Sequence, residues 1–246
     1  MNPLSLKEAE RLYKGIAKGV SAVRKTDVVL CAPFLYLEKL KKISKKIGLG
    51  AENAFPGDVG AFTGEISAEM LYEIGARYVI LGHSERRGMG ESNEEINKKI
   101  KSALTSGLSP ILCVGEKERD TDHNYFNFIK DEIEICLDGI SKNYLSKILV
   151  AYEPIWAIST TANHRDATAD DAREMSIFIR KVLFDKFGKE STATRVLYGG
   201  SVNEKSAQNF LNDDTIEGLL IGHASLDAKK FLEIIKICET SGKSKI

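Results

Sequence analysis

The sequence predicts an α/β protein, a (β/α)8 barrel lacking its first strand as written, with seven strands and eight helices in one domain over residues 1–246. Three observations lead there. Short runs rich in Val, Ile and Leu alternate with longer amphipathic stretches, the pattern of buried parallel strands covered by helices. The chain opens on a helix, so the alternation comes out one strand short of eight, with the shortfall at the N-terminus. An open doubly wound sheet, the rival architecture, calls for a GxGxxG turn after an early strand, and the sequence has none.

The opening helix is marked by Ser5 and Glu8, which have the spacing of a capping box. Ala9, Leu12, Tyr13, Ile16, Ala17 and Val20 then recur every three or four residues and form one apolar stripe. Strands follow at 27–33 (DVVLCAP), 48–53 (GLGAEN), 77–83 (RYVILGH), 109–115 (SPILCVG), 147–154 (KILVAYEP), 195–200 (RVLYGG) and 217–223 (EGLLIGH). Each leads into a helix, beginning near Phe34, Ser67, Ser92, Asp122, Thr168, Asn203 and Asp227. No linker or low-complexity segment interrupts this rhythm, and the polar tail ETSGKSKI is expected to fray.

Composition narrows the function. With 35 basic and 35 acidic residues the net charge is zero, which argues against nucleic acid or an anionic membrane as partner. A local anion site for a small ligand remains open. Cys31, Cys113, Cys136 and Cys238 lie far apart, without a CxxC or a His/Cys spacing suited to zinc, so no metal is expected and the thiols read as reduced. No apolar run approaches the 18 or so residues of a membrane span, and the polar N-terminus has no signal-peptide character; a cytoplasmic location is expected.

Polar residues cluster at the C-terminal ends of the strands: Asn53, His83 to Glu85, Glu116, Glu153, Ser201 and His223. In a parallel barrel those ends gather into one mouth, where active sites sit. His83 follows an apolar strand and precedes Ser84 and Glu85, which can cap a helix whose positive end would keep the imidazole neutral and able to polarise a carbonyl. The plainer reading is a structural hydrogen bonder. Glu153 ends an apolar strand beside Pro154 and the only tryptophan, Trp156, surroundings that desolvate a carboxylate and raise its pKa towards neutral. Its plainer reading is an ion pair with an arginine at the rim. VLYGGSVN and LLIGHASL place glycine and serine after the last two strands, where backbone amides can cradle a phosphate, although each alone could be an ordinary turn.

LGHSERR, AYEPIWAI, GAFTGE, LYGGSVN and GLLIGHASL, together with their positions along the chain, resemble the triosephosphate isomerase family from residue 1 to about 240. The resemblance implies a homodimeric TIM barrel that interconverts dihydroxyacetone phosphate and D-glyceraldehyde 3-phosphate without a cofactor, in glycolysis and gluconeogenesis. Glu153 would be the base and His83, as a neutral imidazole, the electrophile of an enediolate mechanism. Ser159, Ser201, and the amides of Gly222 and His223 would bind the phosphate. Ser84 and Glu85 would support the catalytic groups, with Glu85 orienting the family's catalytic cation, and Ile158 and Leu220 would form an apolar clamp over the base, unless they simply pack in the core. Thr63 would lie near the tip of the loop that enters the partner subunit, which is otherwise a solvent-exposed loop.

Three departures from the family pattern affect these expectations. The family's lid reads W-A-I-G-T-G-K-T-A-T-P, whereas WAISTTANHRDATADD is longer and puts Ser159 where a glycine amide meets the phosphate. His223 replaces the second glycine of a pair; its backbone amide remains, and a nearby dianion would raise the pKa of its ring. The family also begins with a strand ending in Asn-x-Lys, which here would fall just before Met1. Without that lysine the residues as written are expected to turn over about 100- to 1,000-fold more slowly or worse, and the unpaired strand edges to favour aggregation. Two non-catalytic readings stand beside the enzyme: a barrel that binds phosphorylated metabolites through Ser201, Gly222 and His223, and a structural dimer built on the Thr63 loop.

Overall fold

A computed structural model describes residues 2–158 and 165–241. In chain order the elements are α1 (Leu6–Val20), β1 (Val29–Ala32), α2 (Phe34–Leu40), β2 (Gly48–Ala51), α3 (Ala68–Glu73), β3 (Tyr78–Leu81), α4 (Ser84–Gly88) and α5 (Asn93–Thr105). They continue with β4 (Ser109–Val114), α6 (Asn124–Cys136), β5 (Leu149–Tyr152), α7 (Ala169–Phe187), β6 (Arg195–Tyr198), α8 (Ala207–Leu211), β7 (Gly218–Leu219) and α9 (Ala228–Thr240). All seven expected strands form, each shorter than its apolar run. The eight expected helices form too, and a ninth, the one-turn α4, follows β3.

Local chemistry accounts for the boundaries. Ser5 Oγ accepts the Glu8 amide at 3.2 Å, while the Glu8 carboxylate accepts the Leu4 amide at 3.1 Å, so α1 begins where the capping box placed it. Thr168 and Asp171 make a full capping box on α7, and Asp227 caps α9 through the amides of Lys229 and Lys230.

The strands lie in sequence order in one sheet, with every neighbouring pair parallel. Alternation along each strand sorts side chains into two layers. Ile111, Cys113, Leu149, Ala151 and Leu197 pack together on the inner face. Leu112, Val114, Val150, Tyr152, Val196 and Tyr198 face outward into the larger core against the helices.

The sheet does not close. β1 and β7 are its two edges, and among the described residues neither has a strand on its outer side. The architecture is thus an open, incomplete TIM barrel of seven strands, as the sequence predicts. The helical layer does continue past the gap, because α1 packs against both α2 and α9. No described helix is long and apolar enough to cross a membrane.

Candidate active site

Glu153 stands at the end of β5, a strand buried along its whole length. Its amide donates to Val114 O at 2.8 Å, and the Gly199 amide donates to Tyr152 O at 2.7 Å, which ties this strand end to both neighbours. Gly115 and Gly199 are required there: a Cβ on Gly115 would lie 1.8 Å from Glu153 O, and one on Gly199 2.9 Å from Glu153 Cγ. The side chain so enclosed is only 3% exposed. An arginine partner at the rim is not what it meets. Among the described residues its carboxylate lies 3.2 Å from His83 Nε2 and accepts the Ser84 amide at 3.3 Å.

His83 ends the β3 segment and is itself the N-cap of α4. Its Nδ1 accepts the Glu85 amide at 3.3 Å, which makes that nitrogen an acceptor and leaves the hydrogen of a neutral ring on Nε2, facing Glu153. The capping role read from Ser84 and Glu85 therefore belongs to His83, while Ser84 lends its amide to Glu153. The Glu85 carboxylate is 3.9 Å from His83 Nδ1 and mostly exposed.

Burial raises the Glu153 carboxyl above its ordinary value; His83, the Ser84 amide and the Cys113 thiol oppose the shift, and Glu85 adds to it. A desolvated carboxylate beside an N–H donor suits proton transfer next to a carbonyl whose oxygen takes up charge.

These groups open into a cavity of about 380 Å³ that His83, Glu85, Glu153, Ile158, Ser201 and Leu220 line, together with Gly222 and His223. Ser201 Oγ is buried and has no hydrogen-bond partner among the described residues. Leu220 packs against the inner apolar cluster. Gly222 precedes a 3-10 turn, His223–Leu226, whose first amides have no earlier carbonyl of the turn to bond. Thr63 is elsewhere, on an exposed loop that also carries Val59 and Phe62. Ser159 falls outside the described residues.

Two strand-end residues turn away from the cavity. Asn53 accepts Lys99 Nζ at 3.2 Å. Glu116 is buried and accepts Tyr152 Oη at 2.7 Å, Trp156 Nε1 at 2.8 Å and Arg119 Nε at 3.2 Å.

Sequence reasoning missed a brace below the site. Arg87 bonds Gly82 O at 2.7 Å and Cys113 O at 3.2 Å and pairs with Glu132 at 3.1 Å; Glu132 accepts the Gly115 amide at 2.9 Å. Burial lifts the Glu132 carboxyl to about 7, against the pull of Arg87. The signal was present, because Glu132 lies on the same helical stripe as Tyr125, Ile129, Ile133 and Cys136. Among the described residues no group of three or more His, Cys, Asp or Glu is placed to hold a metal.

Comparison with known proteins identifies the family. The family description "Triosephosphate isomerase" matches residues 1–238. The chain is 46% identical over 215 residues to the triosephosphate isomerase of Alkaliphilus metalliredigens, covering 85% of each chain. It is 43% identical over 235 residues to that of Aquifex aeolicus, covering 94% of each, and 41% identical over 234 residues to that of Dictyoglomus thermophilum, covering 93% of each. The chain belongs to the triosephosphate isomerase family.

Proposed function

We propose that this site interconverts dihydroxyacetone phosphate and D-glyceraldehyde 3-phosphate in glycolysis and gluconeogenesis, in the cytoplasm. The observation that carries the reading is the 3.2 Å approach of Glu153 Oε1 to His83 Nε2 inside an enclosed cavity. Glu153 removes a proton from the carbon next to the substrate carbonyl while His83 Nε2–H donates to the carbonyl oxygen, where negative charge develops. The resulting enediolate takes the proton back on the neighbouring carbon. Each group ends as it began, so the reaction calls for no cofactor.

The remaining residues divide the binding work. Ser201 Oγ and the amides of Gly222 and His223 receive the phosphate, and a buried hydroxyl without a partner among the described residues supports that role for Ser201. Ser159 adds a backbone amide in this reading. Ile158 and Leu220 exclude water from Glu153, Ser84 holds its carboxylate, and Glu85 positions His83. The loop that presents Thr63, with Val59 95% exposed, docks on a second copy to form a homodimer.

The open edge beside the cavity favours one other reading, a barrel that binds phosphorylated metabolites without turnover. A dehydrogenase-coupled assay in both directions, run beside a titration with inorganic phosphate, separates the two. The isomerase reading expects turnover that inorganic phosphate inhibits competitively. Phosphate binding with no turnover in either direction would support the other.

A further inference from the structure

The chain is neutral as a whole, but its charge is unevenly spread. Residues 7–46 hold 11 basic side chains against four acidic ones, and all 11 basic residues are exposed. Five of them, Lys39, Lys41, Lys42, Lys45 and Lys46, fall within the eight residues that end α2 and lead towards β2. Lys39 lies in the last turn of α2, where a cation complements the carbonyl end of a helix. The other four lie beyond that turn, so the helix end does not account for them.

They border a cleft between the ends of α2 and α3. Lys41, Lys42 and Lys45 line it with Glu73, and Ile43 and Ile74, partly buried against the core, give it an apolar lining. The Lys41 side chain crosses to the end of α3, where a Cβ on Gly75 would lie 2.6 Å from Lys41 Cε. Lys42 Nζ reaches Glu38 at 3.4 Å, whereas among the described residues neither Lys41 nor Lys45 has an acidic partner. Lys46 Nζ bonds Ser21 O at 2.5 Å, which brings the exposed Arg24 and Lys25 of the following loop to the same rim. Because β2 and β3 start just after these turns, the cleft lies at the end of the sheet opposite Glu153.

We propose that this cleft docks an acidic peptide segment of a partner protein, in which carboxylates flank a branched aliphatic side chain. The unpaired lysines call for an anion, and the partly buried Ile43 and Ile74 call for a side chain that reaches in to cover them. A membrane surface fits less well, because the cleft has no exposed apolar side chain to insert into lipid. Single-stranded nucleic acid fits less well too, because no lining residue is aromatic and the bases would have nothing to stack on. Glu38 is engaged by Lys42, so Glu73 is the one lining carboxylate left to repel the ligand. The inference concerns binding and does not rest on turnover at Glu153.

The test is fluorescence anisotropy with the intact chain and a rhodamine-labelled, amidated peptide in which two aspartates stand on each side of a leucine. Saturable one-to-one binding that weakens with added salt is expected. The double variant Lys41→Glu, Lys45→Glu should weaken it about tenfold or more at low salt, serine in place of the leucine should weaken it several-fold, and Glu73→Gln should tighten it several-fold. Thermal melts check that the variants fold; if the double variant melts early, the serine peptide and Glu73→Gln still decide. Absence of saturation, equal binding by the double variant, or equal binding of the serine peptide would overturn the proposal. So would tighter binding of a polyuridylate oligonucleotide or of phosphatidylglycerol vesicles that the double variant abolishes, or self-association that it abolishes, since nucleic acid, lipid or a second copy would then be the occupant.

Discussion

The arc from β3 to β6 and the seam between β7 and β1 are built from the same kinds of strand, yet they are held very differently. In the arc each strand has a partner on both sides, and the Arg87–Glu132 pair ties Gly82, Cys113 and Gly115 together below the mouth. At the seam β7 shortens to two residues, and among the described residues β1 is bonded on one side only. Glu153 and His83 belong to the arc; Gly222 and His223 belong to the seam. The fold therefore secures Glu153 and His83 independently of the edge that carries Gly222 and His223.

The sharpest way to break this division is at the base. Glu153→Gln should lower kcat by about 100- to 10,000-fold with little change in KM, as read by steady-state kinetics. A comparable loss in KM would place Glu153 among the binding groups. Next in size is the brace. Arg87→Met leaves Glu132 buried without its cation, and urea unfolding should show a loss of about 3–5 kcal/mol. A loss no larger than that of an exposed ion pair would mean that the arc is held by its ladder alone. At Ser201, just past the last strand of the arc, the expected effect is smaller. If Ser201 receives the phosphate as proposed, Ser201→Ala removes one hydrogen bond to a charged group, about 1.5–3 kcal/mol, so phosphate affinity should fall about ten- to a hundredfold while kcat stays near its original value.

The smallest effect is in pH dependence. Burial raises the Glu153 carboxyl above 4.5, so the folded state holds this proton more tightly than the unfolded state. The stability associated with it is fully present below about 4.5 and declines as pH rises through the folded value. Glu153→Gln lacks this dependence and should become more stable relative to the parent as pH increases from about 4.5, which parallel thermal melts would detect. A constant difference across the range would mean that the carboxyl titrates normally.

Much of the arc was legible in the sequence because its signals are local. The apolar runs of β3, β4 and β5 and the polar residues ending them placed His83 and Glu153 at one mouth. What pattern alone could not supply was partnership. Glu116 reads as one more carboxylate at a strand end, yet Tyr152, Trp156 and Arg119 occupy it. Ser84 reads as a helix cap, yet the His83 ring takes that position because its Nδ1 reaches the Glu85 amide. Both outcomes depend on side-chain direction across neighbouring strands, which spacing along one strand does not encode. The gap at the seam was legible as an alternation one strand short of eight, but the closure of the helical layer over it by α1 and α9 was not.

Deuterium transfer tests the central assignment most directly, because it reports proton exchange at carbon whatever the overall rate. In heavy water, with dihydroxyacetone phosphate as substrate, the parent chain should incorporate solvent deuterium at the exchanging carbon, as followed by proton NMR. Glu153→Gln should abolish that exchange, with inorganic phosphate still binding, while His83→Gln should slow it about 100- to 1,000-fold. Exchange at the parental rate in Glu153→Gln would contradict the account, because the proton would then be moving through another group.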